Sequence, residues 1–216
     1  VRGNGNITSS SRSEGSFTSV KSAGPFDVYF KQADENTVKI EADENLLKFI
    51  ITEVENGVLK IKTRNGININ PTSDIKVYVT APSYKELSIA GSGNIVSEGK
   101  IVLTNGIVLR IAGSGDIRMS EADAPKIEVH IAGSGKAMAA GNTRDAEIHI
   151  AGSGDVEFRD LKAENAEVHI AGSGNVWVFA SMKLDVHVAG GGDIHYFGNP
   201  ADIKQKIAGS GNLIKE

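Results

Sequence analysis

The chain has 216 residues, enough for one sizeable core, and is 40% hydrophobic and 23% charged. Its net charge of −4 gives no electrostatic case for nucleic acid or an anionic membrane, and no run of 18 apolar residues could span a bilayer. Cysteine is absent, which excludes a disulfide framework and thiolate metal ligation.

Residues 1–16 are polar and rich in Gly and Ser, and Gly3-Asn4-Gly5-Asn6-Ile7 predicts a first, degenerate coil. From Phe17 to about Tyr84 a strand signal runs without a repeat. Phe26, Val28 and Phe30 alternate with polar neighbours, as do Ile75, Val77 and Val79. Asn56-Gly57 and Asn65-Gly66 are turn dipeptides, and Glu44–Glu53 reads either as one helical turn or as a strand crossing.

From Lys85 onward one stretch recurs: Ile-Ala-Gly-Ser-Gly-(Asn/Asp)-hydrophobic. Its first glycines are Gly91, Gly113, Gly133, Gly152, Gly172, Gly190 and Gly209, so the steps are 22, 20, 19, 20, 18 and 19 residues. A period near 20 marks a solenoid, whose units bury a core only by stacking. Before each Ala-Gly the residues alternate, as in Glu167-Val168-His169-Ile170. They alternate again after the last Gly, as in Asp155-Val156-Glu157-Phe158. Period two means strand, so each unit is predicted to be one coil of a parallel β-helix: strand, Gly-Ser-Gly bend, strand, polar corner. Leu109, Val129, Ile148, Val168 and Val186 form one expected buried ladder, and Ile117, Ala137, Val156, Val176 and Ile194 another. The corners are placed at Glu121–Pro125, Gly141–Asp145 and Gly198–Asp202, where turn residues cluster.

The AGSG(N/D) repeats, with Glu44-Asn45-Leu46-Leu47 and Glu55-Asn56-Gly57-Val58-Leu59-Lys60-Ile61, resemble the auto-transporter adhesins with a head GIN domain, exported proteins common in gut Bacteroidetes. The resemblance covers essentially the whole chain. It implies a right-handed parallel β-helix and a cell-surface or secreted setting, and it carries no catalytic motif. The expected organisation is all-β: an irregular N-terminal part over 1–84 that caps the solenoid, and a regular β-helix with seven repeats over 85–216. The chain begins at Val1 and is read as a mature or trimmed product of export.

Stacking turns sequence columns into ladders spaced by about 4.8 Å. One outward column reads Ser88, Arg110, His130, His149, His169, His187, Lys206. Parallel imidazoles do not converge as a tetrahedral metal site requires, so a structural ladder partnered by Glu128, Glu147, Glu167 and Asp185 is expected, with no metal or other cofactor. A second column reads Asn94, Asp116, Lys136, Asp155, Asn175, Asp193, Asn212. Lys136 is hostile to calcium, and side-chain bonding that closes each turn is expected instead.

No Ser/His/Asp order, Walker loop or zinc spacing is present, and a non-catalytic adhesin presenting a rigid face is the expected function. A carbohydrate-active enzyme of the polysaccharide-lyase kind, or its remnant, is the alternative; an end-to-end assembly module is another. The expected contact surface is aromatic: Trp177 and Phe179 on one coil, His195 and Phe197 on the next, with Asp155, Asn175 and Asp193 alongside to bond sugar hydroxyls. The expected partner is a surface glycan or protein, with a homo-oligomer through the open β-helix edges also allowed.

Overall fold

The computed structural model describes residues 1–216, in β-strands apart from turns and one 3-10 segment, Leu47–Phe49. Strands β1 (Ile7–Arg12), β2 (Ser19–Ala23), β3 (Phe26–Gln32) and β4 (Thr37–Asp43) precede that segment. β5 (Ile50–Glu55), β6 (Val58–Thr63), β7 (Ile75–Ala81), β8 (Glu86–Gly91), β9 (Ile95–Ser97) and β10 (Lys100–Val102) follow it. β11 (Ile107–Gly113) leads into four strands that each run most of the way round a coil: β12 (Ile117–Gly133), β13 (Lys136–Gly152), β14 (Asp155–Gly172) and β15 (Val176–Gly190). β16 (Ile194–Phe197), β17 (Asp202–Gly209) and β18 (Leu213–Lys215) complete the stack.

The coils pair in parallel, residue on residue, and make a β-solenoid of about six turns. Alternation puts every second side chain into a dry interior. On the first face the buried column is Leu87, Leu109, Val129, Ile148, Val168, Val186; on the second it is Ile95, Ile117, Ala137, Val156, Val176, Ile194. Both expected ladders are therefore in register and inside. The expected corners at Glu121–Pro125 and Gly141–Asp145 differ: they remain in the parallel ladder as a third, narrow face. Ala122 pairs with Gly141 and Gly141 with Leu161; Ala124 pairs with Thr143 and Thr143 with Ala163. Small residues alternate inward there, and the register slips between Met119 and Ala122 and between Met138 and Gly141. The slip absorbs the unequal coil lengths, so polar composition does not require a turn.

The N-terminal half follows another order. β2 is paired on one side with β6 and on the other with β8, and β3 lies between β7 and β9. The rung that the chain forms first is thus the second in space. β6 and β7 make the outermost rung, and antiparallel strands cover it: β5 on β6, β4 on β7, and β1 on β4. Residues 7–12 consequently belong to the cap and not to a degenerate coil. Their Ser-rich alternation suits an exposed edge strand, which cannot bury one side chain in two. Asn56-Gly57 turns β5 into β6 with both residues at positive φ, as that dipeptide predicts. Asp43, wholly buried, ties the cap together: its carboxylate accepts bonds from the backbone N–H of Gly5 (2.7 Å) and from the N–H and hydroxyl of Thr72 (2.9 and 2.7 Å). Those bonds, chiefly from the Thr72 N–H, hold the carboxyl below the ordinary aspartate range.

At the bend both glycines are needed, for different reasons. Gly152 has φ +133°, and a Cβ there would also overlap the carbonyl oxygen of Gly133 one coil below. Gly154 has no such φ, but its Cβ would overlap Gly135 O. The close approach lets the ladder continue through the bend, where Ser153 N–H donates to Gly133 O and Ser173 N–H to Gly152 O, each at 2.9 Å.

Candidate functional site

Three outward positions recur on each first-face strand, and the histidine and alanine positions build the largest concavity, with the acidic position outside it. In β12 they are Glu128, His130 and Ala132, with register partners Glu147, His149 and Ala151 in β13 and Glu167, His169 and Ala171 in β14. The four imidazoles stack face to face with centroids 4.8–5.0 Å apart and planes within 6°. Each Nε2 turns to the carboxylate two residues earlier: His130 to Glu128 (2.6 Å), His149 to Glu147 (2.8 Å), His169 to Glu167 (2.7 Å), His187 to Asp185 (3.1 Å). A carboxylate partner makes Nε2 the protonated nitrogen of the neutral ring. Lys126 bridges two rungs, 3.0 Å from Glu128 and 2.5 Å from Glu147. The Lys126 bond, then that from His149, lowers the Glu147 pKa from 4.5 to about 2, and the His130 and Lys126 bonds lower that of Glu128. The rings stand parallel and spend their Nε2 atoms on their own strands, so no three ligands converge on one point.

On the other side of the histidines lie the alanines. Ala112, Ala132, Ala151, Ala171, Ala189 and Ala208 are all exposed and floor a groove of about 700 Å³, whose wall is the imidazole stack. Its only charged lining residues are Arg110 near one end and Lys206 at the other. Arg110 reaches back to Glu86 (3.2 Å), whereas Lys206 has no carboxylate within 4 Å.

The residues expected as a contact surface fall into three settings. Asp155, Asn175 and Asp193 belong to an inter-coil ladder. Asn175 N–H donates to Asp155 Oδ1 (2.9 Å), Asp193 N–H to Asn175 Oδ1 (3.0 Å) and Asn212 N–H to Asp193 Oδ1 (2.9 Å). The expectation that these side chains close their own turns is corrected: the bend glycines already do so, and the Asx oxygens splice one coil to the next. Lys136, with no acceptor, breaks the series, and Asp155 N–H donates to Gly135 O instead. Trp177 lies flat on His195 (5.2 Å, 8°), and the Arg159 guanidinium of the preceding coil lies 5.8 Å from the indole centroid. Both indole faces are thus occupied along the stack, and only ring edges point outward. Phe179 turns away from this pair, with Lys162 Nζ 4.2 Å from its centroid, and lines a separate polar groove of about 440 Å³ with Asn142 and Arg144. Phe197 is its register partner.

The family described as "putative auto-transporter adhesin, head GIN domain" matches residues 16–200. The chain belongs to this adhesin family. Solved structures agree with the fold over full length. A protein of Bacteroides fragilis described as a putative adhesin superposes with TM-score 0.92 at 20% identity, each chain covered over 100%. One of Parabacteroides distasonis described as a putative lipid binding protein gives TM-score 0.85 at 29% identity, covering 100% of this chain and 99% of its own. A second P. distasonis protein, described as a putative adhesin, gives 0.75 at 26% identity, covering 100% and 99%. No curated protein matches the chain.

In this head GIN chain the alanine floor is the feature that column reading missed, although its signal was in the repeat itself. Every Ile-Ala-Gly places Ala at an outward position, and a small apolar residue kept exposed on six consecutive rungs is an unusual use of a solvent face. No helix is long and apolar enough to cross a membrane.

Proposed function

We propose that this adhesin-family chain is a non-catalytic binding protein of the cell exterior and that the groove on its first face is the recognition surface. One observation carries the reading: the largest concavity runs along the stack, floored and walled by columns that repeat in unbroken register. Parallel columns meet an extended ligand with one contact per rung, and they do not surround a reacting atom as catalysis requires. The family supports an adhesive role. The relative described as a lipid binding protein, 29% identical over the full chain, adds amphiphiles to glycans and proteins as ligand classes. Trp177, Phe179, His195 and Phe197 are proposed as a secondary contact, reached through ring edges and the neighbouring polar groove.

The test is a glycan array and a panel of immobilised lipids probed with the purified chain and with Ala151→Glu. The substitution is at an exposed position and should leave the melting temperature within a few degrees. Binding lost in the variant supports the groove. Binding that survives there but disappears in Trp177→Ala with Phe179→Ser would move recognition to the aromatic rim.

A further inference from the structure

We infer that the groove takes a single extended long-chain amphiphile with an anionic head, its tail along the alanine floor and its head at Lys206; the inference rests on the groove being the recognition surface. The lining decides the class. The floor is methyl groups, and the wall is imidazoles whose Nε2 atoms bond Glu128, Glu147 and Glu167, with His187 Nε2 3.1 Å from Asp185. The wall offers sugar hydroxyls only the row of Nδ1 acceptors on its imidazoles, and the alanine floor offers them nothing, whereas an acyl chain gains from the whole apolar floor.

Charge sets the direction. The molecule carries a net −4, yet no carboxylate lines the groove. The acidic residues of this face stand on the far side of the histidine column, and the charged lining is Arg110 and Lys206. Arg110 is partly neutralised by Glu86, so Lys206, free of any carboxylate, is the stronger anchor for an anion. Length fits as well. From the Arg110 rung to the Lys206 rung there are five steps of about 4.8 Å, roughly 24 Å. An all-trans chain of about sixteen to eighteen carbons, with C–C bonds of about 1.5 Å, lies within that span.

The experiment is calorimetric titration of the full chain with monomeric palmitate, octanoate and hexadecanol, and separately with phosphatidylglycerol vesicles. Palmitate should bind one per chain, at least tenfold tighter than octanoate, because the longer tail covers more rungs. Lys206→Ala should weaken palmitate about tenfold and leave hexadecanol unchanged; Ala151→Glu should weaken both. Octanoate binding as tightly as palmitate, or Lys206→Ala having no effect, overturns the assignment. So does binding to vesicles without binding to monomeric palmitate, which would make the face a membrane-docking surface. If palmitate fails while Ala151→Glu still abolishes array binding, the ligand class is wrong and the groove remains the recognition surface. If neither effect is seen, the groove reading falls too.

Discussion

At the scale of the residue, the histidine–carboxylate pairs show how an exposed ladder is kept in order. Stacked imidazoles gain little from one another in water, and the bond from each Nε2 to its own carboxylate fixes ring and tautomer. Glu147 is the most strongly held of these acids because Lys126 lies closer to it (2.5 Å) than to Glu128 (3.0 Å), and His149 donates to it as well. Its pKa is depressed in the folded chain, so its stabilising effect is complete above about pH 4.5 and is lost as pH falls toward about 2. Glu147→Gln should cost about 1 kcal/mol at pH 7, a modest value because the pair is partly solvated. That difference should vanish near pH 2. Urea unfolding of both proteins at pH 7, 4 and 2.5 measures it, and a gap that stays constant across the range would show that the Lys126 and His149 bonds contribute nothing.

At the scale of the element, the bend is the part that cannot vary. Strand positions tolerate exchange among apolar residues, and the third face tolerates slips of register. The first glycine of each bend combines a left-handed φ with a backbone from the previous coil where a methyl would sit. Gly152→Ala is therefore expected to destabilise the chain by about 3 kcal/mol or more, the sum of backbone strain and steric overlap. Ala151→Gly, one residue earlier and exposed, should cost about 1 kcal/mol or less. Chemical denaturation of the two variants makes the comparison. Equal losses would mean that the bend relaxes and that glycine there is a matter of composition alone.

At the scale of the whole molecule, the two ends of the stack differ. The N-terminal end is closed by antiparallel strands and by the Asp43 bonds to Gly5 and Thr72. At the other end, β17 and β18 pair on one side only. There Gln205 and Lys215 follow Val186 and Tyr196 in columns that are otherwise apolar, and Ile203 is 42% exposed. Polar substitution blunts such an edge without covering it. Amide exchange should accordingly be fastest in 203–215 and slowest around Val168, by orders of magnitude, since local opening needs least loss of burial there. Protection of 203–215 equal to that of the middle coils would mean that a second copy covers this end, as an assembly module would require.

The sequence by itself determined the coil, its period and its interior. Alternation at Val129, Ile148, Val168 and Val186 can be satisfied by one burial pattern only, and repetition at about 20 residues forces equivalent residues to stack. These are local and nearest-neighbour facts, which is why they were legible. The order of the first three rungs was not, because β2 inserts between β6 and β8 through pairings distant in the chain. Nor was the third face, where polar residues at Glu121 and Asn142 resemble a turn until the neighbouring coils supply their ladder partners, Lys100 and Asp123. The expected sugar-stacking ring of Trp177 was decided in the same way. Alternation correctly sends the indole outward, but only the packed stack shows His195 on one face and Arg159 on the other. The groove likewise exists only between columns: six separate alanines become a floor when parallel pairing sets them about 4.8 Å apart beside a wall of imidazoles.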